Sequence, residues 1–444
     1  MTGNRPHADT NILRGHTLAF RADPFKVGPD AAVDFHSDGA VVMAGGKIVA
    51  VGQAADVIAR HPGAALNTYA DHLIMAGFVD SHVHYPQIDI IASYGEQLIA
   101  WLDKYTFPVE AKFHDRAHAD QTAQRFLDEC LRNGITTASV YCTQHPTSVD
   151  AFCTIAQSRG FCMAAGKVMM DRNAPDAVKD TAQSSYEQSK ALIERWHGVD
   201  RLTYAVTPRF AVTSSPAQLE AAGALWREHP TTLMQTHLSE HLREIAWVSE
   251  LHPGPADYLA IYEKHGLVGP GANFGHAIHL TPREWARLRE TGSGLSHCPT
   301  SNLFIGSGLF DLRAARAGEA RVAVGLATDV GGGSSFSMFQ TMKAAYEVAQ
   351  LRGYSLHPAN AFYLATVGSA GVLRLGHRIG NLAAGLDADI VVLDLRSRPL
   401  VAQRMRAADS LWEALFIQMI LADDRAVRAT FVAGHKAYER PIAP

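Results

Sequence analysis

The sequence predicts an α/β fold, a (β/α)8 TIM-type barrel with a small β-sandwich domain formed from both chain termini. Two observations carry this. Eight apolar, β-rich runs alternate with helical stretches through the middle of the chain, the pattern of parallel strands joined by crossover helices. Shorter β-type runs, divided by glycine turns, lie at both ends, so the termini are expected to share one domain. The expected division is residues 1–75 and 376–444 for the two parts of the small domain and 76–375 for the barrel.

Taken in order, residues 17–21, 32–35, 39–43 and 47–51 are short β-type runs separated by Ser-Asp-Gly and Gly-Gly turns, suggesting an antiparallel sheet. The barrel runs are 78–84, 136–142, 161–169, 202–210, 232–238, 272–280, 294–298 and 322–328. Helical stretches fall between them at 117–133, 184–196, 216–228 and 282–290, and two more follow the last strand at 335–351 and 358–366. Runs at 389–394, 426–432 and 436–439 then return to the small domain. Active sites of such barrels form at the C-terminal ends of the strands, so polar groups there carry the argument.

Composition narrows the function classes. Of 444 residues 47% are hydrophobic and 19% charged, enough for an extensive core. The formal net charge of -4, with no local Lys/Arg cluster, argues against a nucleic-acid polymer as partner. No eighteen-residue apolar run is present and residues 1–10 are polar, so neither a membrane span nor a signal peptide is expected. Five scattered cysteines, none in a Cys-x-x-Cys pair, read as reduced thiols of a cytoplasmic protein.

The strand ends are not random. His82 and His84 stand one residue apart on the first barrel strand and so share a face. Strand five ends at His237 with Glu240 three residues on, strand six at His276 and His279, and strand eight at Asp329. Three imidazoles and one carboxylate suit a divalent cation, zinc first and iron second, with room for water. Such an ion brings the pKa of water toward about 7, which suits hydrolysis, with Asp329 able to take a proton and Glu240 to deliver one. Each residue also has a plainer reading: His237 and His276 as satisfied core histidines, Asp329 as a helix cap, Glu240 as an exposed acid in a first helical turn. A second ion would need a bridging group, in related sites often a carboxylated lysine after strand four, where this chain has no lysine; Lys167 on strand three reads as a snorkelling structural residue, so one metal is expected.

On these residues the chain resembles the amidohydrolase superfamily, and within it the guanine deaminase family, over nearly its whole length. The superfamily elements are residues 77–84 (GFVDSHVH), 236–240 (THLSE), 296–302 (SHCPTSN) and 325–329 (GLATD). The narrower likeness lies in residues 101–110 (WLDKYTFPVE), Gln87 and residues 207–210 (TPRF). The resemblance implies one Zn2+ per chain, Fe2+ being the second choice, held by His82, His84, His237 and Asp329. It implies a purine pocket built from His84, Gln87, Arg209, Phe210, His237, Glu240 and Asp329. It further implies hydrolytic deamination of guanine to xanthine by a metal-activated water, as a step of purine catabolism. Glu240 would protonate the ring, Asp329 would move the proton of the water, and His276 would orient the reacting group. A homodimer and a cytoplasmic location go with it. Without the resemblance, Gln87 reads as a loop amide, Arg209 as a surface ion pair and Phe210 as core. Deaminases or chlorohydrolases of cytosine, adenosine or triazine type share the ligand set, but Gln87 and Arg209 favour an oxo-purine. A non-catalytic barrel scaffold is disfavoured because the ligands and Glu240 are all present. His279 leaves the division of labour on strand six open.

Overall fold

The computed structural model describes residues 10–318 and 321–441. Among them, eight parallel strands stand in sequence order around a barrel: Phe78–His84, Ile135–Tyr141, Cys162–Gly166, Leu202–Pro208, Leu233–Leu238, Ala272–His276, Gly294–His297 and Ala323–Leu326. The strands are almost wholly buried because helices cover their outer faces, which is why they read as continuous apolar runs. The third run is interrupted at Lys167, and Val168–Met169 pairs again with Thr207 and Pro208.

Local signals place the crossover helices. Asp115 accepts a hydrogen bond from the Ala117 amide at the start of Arg116–Arg132, and Ser215 caps Pro216–Glu228 with proline at the first turn. Ala182–Trp196 and Pro282–Thr291 each open with a capping box, Thr181 with Ser184 and Thr281 with Glu284. The stretch expected at 358–366 is a helix, Pro358–Tyr363, continued through a wider turn at Leu364–Gly368 into Ser369–Val372.

Between the first and eighth strands the barrel is closed partly by side chains. Ser81 Oγ donates to Leu326 O at 3.0 Å, the Thr328 amide donates to Asp80 Oδ1 at 3.0 Å, and the Asp329 amide donates to His82 O at 3.0 Å. This seam sets Asp329 beside His82 and His84.

The termini share one seven-stranded sheet, ordered His435–Glu439, Val427–Val432, Ile390–Asp394, Ala65–Ala76, Asn11–Phe20, Val33–Ala44, Lys47–Gln53. It is mixed rather than antiparallel throughout, because Asn11–Phe20 pairs in parallel with Ala65–Ala76. The long connection through two strands and the helix Ala54–Arg60 makes that parallel return possible. Ala65–Ala76 was not legible as a strand because its first half, with Asn67, Thr68 and Asp71, is polar and exposed. The runs at 32–35 and 39–43 are one strand: Gly39 does not turn but lets Thr17 approach, where an added Cβ would lie 2.2 Å from Thr17 Oγ1. Two further helices, Pro399–Met405 and Leu411–Leu421, follow Ile390–Asp394, and Phe416 packs edge-on to Tyr346 of the barrel helix Met338–Leu351, ring centroids 5.1 Å apart.

All five cysteines are buried and free. No helix among the described residues is long and apolar enough to cross a membrane. The polar start read from residues 1–10 lies outside the described residues except for Thr10.

Arg201, just before the fourth strand, ties the sheet to the barrel. Its guanidinium reaches Asp387 Oδ2 at 3.1 Å, pairs with Asp389, and donates to Gly160 O at 2.7 Å. Both carboxylates are nearly inaccessible to water, so Arg201→Met leaves two buried anions with less compensation. The expected loss is about 3 kcal/mol of stability, read as a lower denaturation midpoint in urea. An unchanged midpoint contradicts this role for the ion pair.

Candidate active site

Four side chains from the ends of the first and fifth strands and the loop after the eighth strand converge on the barrel axis. Asp329 Oδ1 lies 3.4 Å from both His82 Nε2 and His84 Nε2, and His84 Nε2 lies 3.2 Å from His237 Nε2. The geometry is produced by the backbone as well as the seam. Ser239, His276, Ala277 and Asp329 have φ between 46° and 64°, a left-handed conformation that costs non-glycine residues about 1–3 kcal/mol each. These bends sit at or just beyond strand ends and turn the chain where its side chains must face the axis.

The donor set fits a divalent cation on physical grounds. His237 Nδ1 lies 2.7 Å from Arg209 O, which can only accept, so Nδ1 carries the proton and Nε2 keeps a lone pair. That lone pair faces His84 Nε2 in a buried space, while both ring nitrogens of His82 and Nδ1 of His84 have no hydrogen-bond partner. Burial pushes the His84 and His237 imidazoles well below the usual histidine value, and His82 below it. Neutral imidazoles with converging lone pairs are what a metal ligand set requires. Burial works to raise Asp329, but His82, His276 and His237 outweigh it and bring the carboxyl to about 2, so it is an anion here. Cys298 Sγ also lies near His82, His276 and Asp329. Burial first, then the Asp329 charge, drives its thiol far up, and Cys298 Sγ donates to Ser296 O at 3.4 Å as a neutral group.

His276 stands between two carboxylates, its Nε2 3.5 Å from Glu240 Oε2 and 3.7 Å from Asp329 Oδ2. Its Nδ1 is held by Asn302 Oδ1 at 2.8 Å, which fixes the ring. Burial lowers its pKa, but Glu240 and Asp329 more than offset this and leave it raised. Glu240 is buried, with Ser307 Oγ donating to Oε1 at 2.9 Å, and burial with the Asp329 charge raises its pKa, favouring the protonated acid. The plainer readings of the two acids fail: Ser337 and not Asp329 occupies the N-cap position of the helix Met338–Leu351, and the helix after strand five starts beyond His241, leaving Glu240 outside it. His279 is directed elsewhere, Nε2 donating to Ser307 O at 2.8 Å, so it braces the loop that holds Glu240.

Beside this cluster is a slot lined by Gln87, Arg209 and Phe210, with Trp101 and Leu102 above it. Arg209 is 2% exposed, not a surface group, and its Nη1 donates to Glu110 Oε2 at 2.7 Å. Gln87 Nε2 donates to Glu110 Oε1 at 3.0 Å. The roof is helical, from Leu98–Trp101 through Leu102–Thr106 to Phe107–Glu110. Sequence reasoning assigned no role to Glu110, Asn302, Ser307 or Trp101. Glu110, Trp101 and Asn302 stood inside quoted motifs, whereas Ser307 carried no local signal. Lys167 is structural but does not snorkel, being fully buried and paired with Asp180.

The chain matches the amidohydrolase family over residues 73–437, and residues 39–64 match an imidazolonepropionase-like composite domain of bacteria. It is 47% identical to the guanine deaminase of Escherichia coli K12 over 411 residues, 92% of this chain and 93% of that protein. The solved structure of E. coli guanine deaminase superposes with a TM-score of 0.94 at 45% identity, covering 97% of this chain and all of the other. Guanine deaminase from C. acetobutylicum, solved with guanine in its active site, gives 0.86 at 26% identity over 97% of this chain and 100% of its own.

Because the three imidazoles are depressed below 6.5, protons should begin to compete for the metal site only as the pH falls beneath that value. Dialysis at stepped pH followed by elemental analysis should show full metal loading at pH 7 and loss on further acidification, with His237→Ala unloaded throughout. A loading midpoint above 6.5 contradicts the buried, neutral ligand set.

Proposed function

The chain belongs to the amidohydrolase family, and we propose that it is a hydrolase converting guanine and water to xanthine and ammonia. The observation that carries this is the placement of Gln87 and Arg209 on one slot, beside a buried cluster of three histidines with one aspartate and a protonatable Glu240. The lining suits a planar ring: Phe210 supplies an aromatic wall, Arg209 donates to ring acceptors and Gln87 answers ring N–H groups. Near-full-length likeness to guanine deaminases supports the same substrate.

The proposed ligands of one Zn2+ are His82, His84, His237 and Asp329. When bound, such an ion supplies Lewis acidity and a water of lowered pKa. The remaining work falls to the protein. Asp329, held ionised, accepts the proton of the attacking water through its carboxylate and passes it toward the departing amine. Glu240, whose pKa burial raises, gives its proton to the purine nitrogen next to the carbon under attack and recovers one from the added hydroxyl as the new carbonyl forms. His276 Nε2 lies within reach of both carboxylates and orients the oxygen added to the ring, while Trp101 and Leu102 exclude bulk water. His84 and His237 also line the slot, so the ring lies against the ligand cluster. A role in purine catabolism, a homodimeric assembly and a cytoplasmic location complete the reading, the last consistent with five free, buried thiols.

Guanine turnover, followed by ultraviolet absorbance and ammonia release, tests the proposal directly. Glu240→Gln should lower kcat about 10²- to 10⁴-fold, the range for a general acid, without changing metal content. An unaltered rate removes Glu240 as the proton carrier. Inert guanine with adenine, cytosine or a triazine turned over instead removes the substrate assignment.

A further inference from the structure

We propose that Glu110 sets the specificity of the slot, as a positioning residue that fixes the amide direction of Gln87 and the guanidinium of Arg209 together; the inference rests on the guanine reading above. Glu110 is fully buried at the end of the roof segment and touches both groups, one carboxylate oxygen to each.

A carboxylate that is ionised only accepts hydrogen bonds. Gln87 must therefore turn its Nε2 to Glu110, and its Oε1 is left over as an acceptor. Arg209 commits Nη1 in the same way. Among the described residues, Nη1 is the one guanidinium nitrogen of Arg209 with a hydrogen-bond partner, and Gln87 Oε1 has none. Both residues line the slot. The slot thus presents a fixed acceptor and fixed donors, and suits a ring that offers an N–H to Gln87 and an acceptor to Arg209. Guanine offers both through its ring N–H groups and its carbonyl. A ring with an amine in the carbonyl's place turns donors onto the donors of Arg209, a mismatch that no rotation of Gln87 repairs. Glu110 also supplies the negative charge that makes a buried Arg209 tolerable.

The segment 101–110 therefore does more than roof the site. Trp101 and Leu102 cover the slot, and eight residues further on the same segment reaches beneath it to hold the two groups that read the ring.

In Glu110→Gln the new amide can accept from Arg209 only by turning its own NH2 toward Gln87. Gln87 then flips and puts a donor where an acceptor is required. The double variant Gln87→Glu with Glu110→Gln restores every polarity: Arg209 donates to the amide oxygen, the amide NH2 donates to the carboxylate at 87, and that carboxylate presents an acceptor to the ring. It also restores the charge balance. Steady-state guanine kinetics, with xanthine binding followed by Trp101 fluorescence, should show Glu110→Gln raising KM more than it lowers kcat. The loss in kcat/KM should be about a hundredfold, the scale of a hydrogen bond to a charged group with a buried donor left unpaired. Metal content should not change. The double variant should recover at least about tenfold of the loss. Wild-type kinetics in Glu110→Gln, or a double variant no better than the single one, overturns the proposal. Should the single variant not fold, the double variant decides alone: folded and active supports the proposal, folded and inactive overturns it. If the wild type leaves guanine untouched and acts on another ring, the substrate reading fails by itself. The same two variants assayed on that ring then support or overturn the role of Glu110.

Discussion

Burying lone pairs that face one another is the constraint around which this molecule is organised. His82, His84, His237 and Asp329 bring imidazole nitrogens and a carboxylate oxygen within 3.2 to 3.4 Å of each other in a buried space at the bottom of the slot. Left alone these groups repel or go unsatisfied, so the protein holds them by other means. The backbone bond from Asp329 to His82, the Asp80–Thr328 contacts across the barrel seam and the Arg209 carbonyl behind His237 fix these groups in place. Left-handed bends at the strand ends belong to the same arrangement, since strain persists only where surrounding structure over-determines it.

A second layer of ionisable groups is arranged on that core, and their environments push them apart. Asp329 is drawn down to about 2 by neighbouring imidazoles, whereas Glu240, buried and near the Asp329 charge, is raised. The pKa values of two carboxyl groups on either side of one imidazole are thereby pushed in opposite directions, which favours proton acceptance by one and proton donation by the other. The supports are polar residues from several loops: Asn302 for His276, Ser307 for Glu240, and His279 for the loop of Ser307. Glu110 performs the corresponding service for the slot, bonding Gln87 and Arg209 and so joining the roof helix to the residues that line it.

Much of this was legible in the chain. All eight barrel strands fell close to the expected runs, because strands buried on both faces have to be apolar and those runs recur with helical stretches between them. The strand Ala65–Ala76 escaped because half of it is exposed and polar, and Gly39 misread as a turn because close approach and turning both favour glycine. In the site, His82, His84, His237, His276, Glu240 and Asp329 could be named because strand-end placement is a one-dimensional signal. Glu110 could be quoted in a motif but given no task, since its partners Gln87 and Arg209 lie 23 and 99 residues away along the chain.

By itself, then, the sequence determined the barrel, the ends at which chemistry can occur and the residue types that gather there, because periodicity and strand position are local properties. The tertiary structure decided which side chains face one another: that Asp329 joins the histidines and is no helix cap, that His276 and not His279 stands between the carboxylates, and that one buried carboxylate governs both Gln87 and Arg209. Hydrogen-bond polarity and burial depend on distances between residues remote in sequence, and those exist only once the barrel has closed.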